Sequence, residues 1–379
     1  MAGKDILTFE GHQFFRQRLI MATLAGRTIR IVRIRSDDLS PGLRDFEANL
    51  LRLLERITNG SIVEIGETGT SILYRPGVIV GGKIRHDCGN RALMSESSSP
   101  EGERRTNRSI GYCLEMLIAL APFGQRLMDA TLTGITSDNF DLSVDTLRTV
   151  TLPQLKQYGV PDGVELKITR RGAPPLGGGE VTFRCPTVRA LKPLLSIDEG
   201  RIRRIRGIAY ATRVSPQTAN RMVESARGVL NRYIPDVYIY TDHYKGAESG
   251  KSPGFALSLV AESTTGVLLS AERAGEAGET PEDIGVRVAR LLLETIARGG
   301  CVDSAHQWLP LLWMTFSPED VGRVRMGPLE PRSIQYLRDL RTIAGVTMRL
   351  SEEEEKKKRK RTLVTCVGIG YTNAGKKTT

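Results

Sequence analysis

Apolar residues fall into short runs whose spacing switches between a period of about two and a period of about 3.6. Residues 6–9 read as a strand. Phe14, Phe15, Leu19, Ile20 and Leu24 then recur at helical spacing and stop at Gly26. Alternation returns from Thr28 to Ile34. Pro41 opens a strongly amphipathic helix with Leu43, Phe46, Leu50, Leu51, Leu54 and Ile57 on one face, closed by Asn59-Gly60. Two strands follow, Ser61 to Ile65 and Ser71 to Tyr74, and Pro76-Gly77 turns the chain into Val78-Ile79-Val80.

This order of helix, strand, loop and strand recurs. Residues 143–158 form the second helix, with Ser143 as its cap and Tyr158-Gly159 at its end. Val164 to Ile168 and Val181 to Cys185 are its strands. A third copy begins at Pro331, with Ile334, Leu337, Leu340 and Ile343 on the helix and Gly345 after it, then Val346 to Leu350 and Leu363 to Gly368. Between the second and third copies, Thr187 to Thr280 has a different texture. Ile202 to Thr212 alternates, Ser215-Pro216 starts a helix, and Val237 to Thr241, Phe255 to Ala261 and Thr265 to Ala271 read as strands. The pattern predicts an α/β (α+β) protein. A large domain of three repeated α/β units covers 1–186 and 281–379, and a smaller β-α-β-β domain is inserted at 187–280.

Charge narrows the choice of partner. Lys and Arg number 54 against 43 Asp and Glu, a net charge of +11, which favours a polyanion such as RNA. Aromatic residues are only 6%, too few for a general base-stacking platform. The five cysteines (Cys88, Cys113, Cys185, Cys301 and Cys366) and four histidines (His12, His86, His243 and His306) show no metal-ligand spacing, so no metal is expected, and the cysteine usage fits a reducing compartment. No signal-peptide core and no apolar run of membrane-spanning length stands out.

One stretch breaks the pattern. Arg171-Gly172-Ala173-Pro174-Pro175-Leu176-Gly177-Gly178-Gly179 runs into a strand, whereas a phosphate-cradling glycine loop hands its glycines to a helix. A tight hairpin and an anion-contacting loop both remain open. Gln13, Arg16, Arg35 and Arg171, with Gly177, Gly178 and Gly179, are the anion or RNA-binding candidates, because helix N-termini and arginines favour phosphate. The basic block Lys356, Lys357, Lys358, Arg359, Lys360 and Arg361 falls at a hairpin tip by the repeat, equivalent to the glycine loop, and reads as a solvated charge run or as a contact for RNA or a partner. Arg323 and Arg325 join it as contact candidates. Asp303, Ser304 and His306 lie too close in sequence for a catalytic triad, whose members converge from separate elements.

The chain resembles the RNA 3′-terminal phosphate cyclase family over nearly its whole length. The glycine stretch 171–181 matches that family's signature loop. Glu10-Gly11-His12-Gln13-Phe14-Phe15-Arg16 stands where the family has a glycine-rich stretch ending in Gln-x-x-Arg. The segment from Ile31 to Leu43 and that from Glu64-Ile65-Gly66 to Pro76-Gly77 are similar to two further family segments. The resemblance implies three repeated α/β units with a small inserted domain. It also implies chemistry that this chain departs from. The family's nucleophilic histidine, adenylated by ATP, aligns with Ala305, with His306 one position along. Phe9 stands in place of a metal-associated Glu, and Phe46-Glu47 in place of a Gln-His pair. Without the nucleophile covalent catalysis is lost, so no catalytic residue and no cofactor is expected. The pattern is similar to the cyclase-like branch of eukaryotes. That branch implies a nuclear, nucleolar factor for pre-rRNA processing and small (40S) subunit assembly, associated with a nucleolar GTPase and the small nucleolar ribonucleoprotein on pre-rRNA. The alternatives are a pre-rRNA endonuclease and a residual ATP-dependent cyclase.

Overall fold

In the computed structural model, which describes residues 6–89, 108–354, 360–373 and 375–376, one topology occurs three times. The first unit is strand Leu7–Glu10, helix Phe15–Ala25, strand Ile29–Val32, helix Asp45–Ile57, then strands Ile62–Ile65 and Ile72–Arg75. Its sheet runs first, second, fourth, third; the first pair is parallel and the others antiparallel. The second unit repeats this with Gly82–Asp87, Ile110–Leu120, Met128–Gly134, a helical stretch over 144–158, Glu165–Arg170 and Gly179–Cys185. The third consists of Leu195–Ser196, Trp308–Thr315, Val321–Met326, Pro331–Ala344, Arg349–Glu354 and Lys360–Val367. The helix–strand–loop–strand pattern of the sequence is the second half of each unit; a β-α-β half precedes it.

The smaller unit interrupts the third repeat between Ser196 and Trp308. Its sheet has the order Val237–Tyr244, Ile202–Thr212, Gly254–Ser263, Leu268–Ala274. Helices Gln217–Leu230 and Pro281–Arg298 pack against each other and against this sheet. Strand Leu195–Ser196 therefore pairs outside the insertion and helix Pro281–Arg298 packs inside it, each on the other side of the boundaries drawn at 187 and 280.

Local departures have local causes. Helix Asp45–Ile57 starts four residues after Pro41 because the Glu47 carboxylate accepts from the Arg44 backbone N–H at 2.8 Å, and Asp45 and Glu47 sit in the positive first turn. It ends at Thr58, which with Asn59 pairs as a short strand with Val78–Ile79, rather than at a glycine cap. The 144–158 stretch is capped by Ser143, which accepts from Thr146 N at 3.1 Å. It then passes through α, π and 3₁₀ turns around Pro153, which has no N–H to donate. One apolar core runs through all four units. No described helix is long and apolar enough to cross a membrane.

The glycine loop is the joint between the second repeat and the insertion. Gly250 N donates to Arg171 O at 2.5 Å and Lys251 N to Gly177 O at 2.9 Å, while Leu176 N donates to Ser252 Oγ at 3.0 Å. The two segments approach so closely that a Cβ on Gly250 would sit 2.2 Å from Gly177 O, and the loop folds so tightly on itself that one on Gly172 would sit 2.4 Å from Gly179 N. Gly177 and Gly178 also take φ of 58° and 78°. Close backbone contact, and not phosphate, accounts for these glycines.

Candidate functional site

The four units converge on a cleft of about 370 Å³. The first repeat contributes Phe14, Arg16 and Gln17, from a helix whose entry is a left-handed turn at Phe14 (φ 60°) with no side-chain cap. The second repeat supplies Arg108, Glu115 and the loop Asp138–Leu142. The insertion adds Glu272 and Arg273, and the third repeat adds Ser304, Ala305, Trp308, Arg332 and Tyr336.

Charges in the cleft are arranged in pairs around an aromatic ring. Arg16 bonds to the Glu115 carboxylate and donates to Tyr112 O at 3.0 Å, and Arg108 grips Asp141 through two bonds of 2.6 and 2.7 Å. Both guanidinium groups lie over the Tyr112 ring, 4.5 and 4.6 Å from its centre. Burial raises the Glu115 carboxyl above its ordinary value, although Arg16 opposes that. Asp138 is more exposed to this conflict. Its Oδ1 accepts from Phe140 N and Asp141 N, its Oδ2 has no hydrogen-bond partner, and burial followed by the Asp141 charge pushes its pKa up to about 6. Arg273 Nε, Trp308 Nε1 and Tyr336 Oη are likewise buried and unpartnered. Native interiors leave few such atoms, because each costs about 1–3 kcal/mol. Four of them, three donors and an acceptor, belong to residues that line this one cleft, although the atoms themselves are buried.

Ala305 is exposed on the cleft wall. His306 turns the other way and is fully buried: Nδ1 bonds Asp303 Oδ1 at 2.7 Å and Nε2 bonds Thr151 Oγ at 2.9 Å. Burial disfavours a charged imidazole, but the Asp303 carboxylate outweighs it and raises the His306 pKa; Asp303 is lowered in return. Asp303 Oδ2 also accepts from Ser270 N and Oγ, at 2.9 and 2.7 Å, and so ties the insertion sheet to this turn. Both ring nitrogens are committed, and the pair is a structural clamp.

Of the anion candidates read from the sequence, Arg16 alone lines the cleft. Gln13 is exposed outside it. Arg35 is held by Glu47 at 2.7 and 2.8 Å. Arg171 is fully buried, bonded to Asp145 at 2.5 and 2.9 Å and to Asp242 at 3.1 Å, with Tyr210 and Tyr244 against its guanidinium. It has no face to offer an external anion, and Gly177, Gly178 and Gly179 serve the joint described above. Among the contact candidates, Arg323 and Lys360 are exposed on the third sheet. Arg325 is paired with Glu353 at 2.9 Å. Arg361 is buried against Glu199, with bonds of 2.5 and 3.0 Å, so it is not a surface contact. Lys356, Lys357, Lys358 and Arg359 lie outside the described residues. Sequence reading missed Arg108, Asp138, Tyr112, Trp308 and Tyr336. The polar run Ser137-Asp138-Asn139-Phe140-Asp141 between a strand and a helix cap was the available signal.

Comparison with known proteins agrees with this architecture. The family described as RNA 3′-terminal phosphate cyclase matches residues 7–350. The chain is 51% identical to the human "RNA 3'-terminal phosphate cyclase-like protein", covering 98% of this chain and 97% of that protein. It is 50% identical to a "Probable RNA 3'-terminal phosphate cyclase-like protein" of Dictyostelium discoideum, covering 98% and 100%. Identity to the "rRNA processing protein rcl1" of Schizosaccharomyces pombe is 45%, covering 100% and 99%. A three-repeat α/β architecture with one inserted unit, matched along nearly its full length, places this chain in the RNA 3′-terminal phosphate cyclase family.

Proposed function

We propose that the chain is a non-catalytic factor of pre-rRNA processing and small (40S) subunit assembly, acting in the nucleolus. Ala305 carries this reading. The family resemblance puts the adenylated histidine at that position, on the cleft wall, and a methyl group there offers no nucleophile. His306 is no substitute, since both its nitrogens are bonded inside the core. The name of the fission-yeast relative supports rRNA processing as the setting. The retained cleft then serves binding, and the net charge of +11 suits a ribonucleoprotein environment. A nucleolar GTPase and the small nucleolar ribonucleoprotein are the proposed partners. Of the contact candidates among the described residues, Arg323 and Lys360 are exposed on the third sheet and are the contacts proposed here.

The test is replacement of the Schizosaccharomyces pombe relative by this chain, with precursor rRNA read on blots. Restored processing is expected, and it should persist in Ser304→Ala and Ala305→Gly variants, which alter the cleft wall without touching the core. Unprocessed precursor despite normal protein levels would count against the role. Loss on either conservative wall change would favour a catalytic or endonucleolytic site.

A further inference from the structure

We propose that His86, Cys88 and Cys113 form a binding site for one zinc(II) ion. The scattered positions of these residues in the sequence gave no sign of it. His86 lies near the end of strand Gly82–Asp87. Cys88 follows two residues on, its N–H still bonded to Thr133 O at 2.8 Å, so the extended backbone carries both side chains to one face. Cys113 projects from helix Ile110–Leu120, which packs over that sheet. The three residues are buried, at 4%, 3% and 2% exposure, and one ligand atom from each lies within 4.8 Å of the others. Among the described residues no other trio of His, Cys or acidic groups comes this close.

The chemistry of the trio points to a soft or borderline ion. Two sulfurs and an imidazole suit zinc and not magnesium or calcium, which prefer oxygen. Zinc bonds of about 2.3 Å to sulfur and about 2.0 Å to nitrogen set tetrahedral ligand atoms roughly 3.5–3.8 Å apart, within reach of small side-chain rotations from the observed separations. His86 Nε2 is buried and has no hydrogen-bond partner, a state that a bound ion, or reorientation of the ring toward one, relieves. All five cysteines are free, so no disulfide competes.

The site's position gives it a consequence. The ion would pin the sheet to helix Ile110–Leu120, and on that helix Tyr112, one residue before Cys113, and Glu115, two after it, hold Arg16 in the cleft. Zinc here stiffens the cleft wall and takes no part in chemistry.

The experiment uses the full, untagged chain, reduced and stripped with chelator, then loaded with zinc(II) or cobalt(II) and freed of excess by gel filtration. Expected are one ion per chain and, with cobalt(II), thiolate charge-transfer and tetrahedral d–d absorption. Retention should fall to below about a tenth in Cys113→Ser and in His86→Gln, while Cys185→Ser and Cys366→Ser bind as the parent does. Circular dichroism of each variant separates lost binding from lost folding, and the cobalt(II) spectrum of the parent stands without any variant. No ion retained by the folded parent would overturn the proposal. Equal retention in all variants, or a Cys88–Cys113 disulfide as the stable form of the isolated chain, would do the same.

Discussion

Arg171→Ala lowers the free energy of unfolding by about 3–5 kcal/mol, the range for removing one partner of a buried ion pair. The guanidinium is fully buried and makes three bonds to two carboxylates, Asp145 and Asp242. Asp145 is itself 2% exposed, and its remaining cation is Arg148 at 3.8 Å, so truncation leaves a nearly unpaired charge in the core. Arg171 also lies against the Tyr210 and Tyr244 rings of the insertion, at 4.4 and 5.3 Å. The loss therefore falls on the seam between the second repeat and the insertion, next to the backbone bonds from Gly250 and Lys251. Arg171→Lys recovers only part of it, because an ammonium cannot reproduce the two-pronged contact with Asp145. Urea denaturation of the three proteins checks the order. An alanine variant melting with the parent would show that the seam does not depend on this residue.

The second large effect is a gain, and it depends on pH. Asp138 titrates near 6 in the folded chain against 3.8 as its ordinary value. A carboxyl with a raised pKa keeps its proton in the folded state after the unfolded chain has lost it. Stability therefore falls as pH rises between about 4 and about 6, and the deficit is complete above that. At about 1.4 kcal/mol per pH unit the shift corresponds to about 3 kcal/mol. Asp138→Asn removes this burden while its side-chain oxygen can still accept from Phe140 N and Asp141 N. The variant should be more stable than the parent by about 3 kcal/mol at neutral pH, with the two converging near pH 4. Denaturation midpoints across that range decide it, and a pH-independent difference would contradict the titration. A position where the native residue costs stability, inside a cleft with three further unpartnered polar atoms, fits the binding role proposed for the cleft.

How far the sequence discloses this differs between scaffold and site. The second half of each repeat is legible because its helices are amphipathic and two of them end at glycines in left-handed turns, Gly159 and Gly345. The first half of the first repeat is legible too, in residues 6–9, the helix closed by Gly26 and the strand from Thr28, but those of the second and third repeats are not. Helix Ile110–Leu120 is buried all round and shows no periodicity, strand Gly82–Asp87 reads as polar, and strand Leu195–Ser196 is cut off from its repeat by the insertion. The direction in which His306 points was legible from its offset in the family motif, and the structure supplies the reason in Asp303 and Thr151. The arginines were not assignable. Arg16 meets Glu115 across 99 positions, Arg171 meets Asp242 across 71, and Arg361 meets Glu199 across 162. Whether an arginine awaits phosphate or already holds a carboxylate is decided by tertiary partners that local spacing does not reveal.

The central claim is that the cleft binds without forming a covalent adenylate. The most direct measurement is incubation of the purified chain with α-labelled ATP and Mg²⁺ or Mn²⁺, followed by a denaturing gel, beside a His306→Ala variant and an active RNA 3′-terminal phosphate cyclase. The account predicts label on the cyclase and none on this chain or its variant. Label on this chain that disappears in His306→Ala would contradict it, and would mean that the buried imidazole leaves Asp303 and Thr151 to act as the nucleophile.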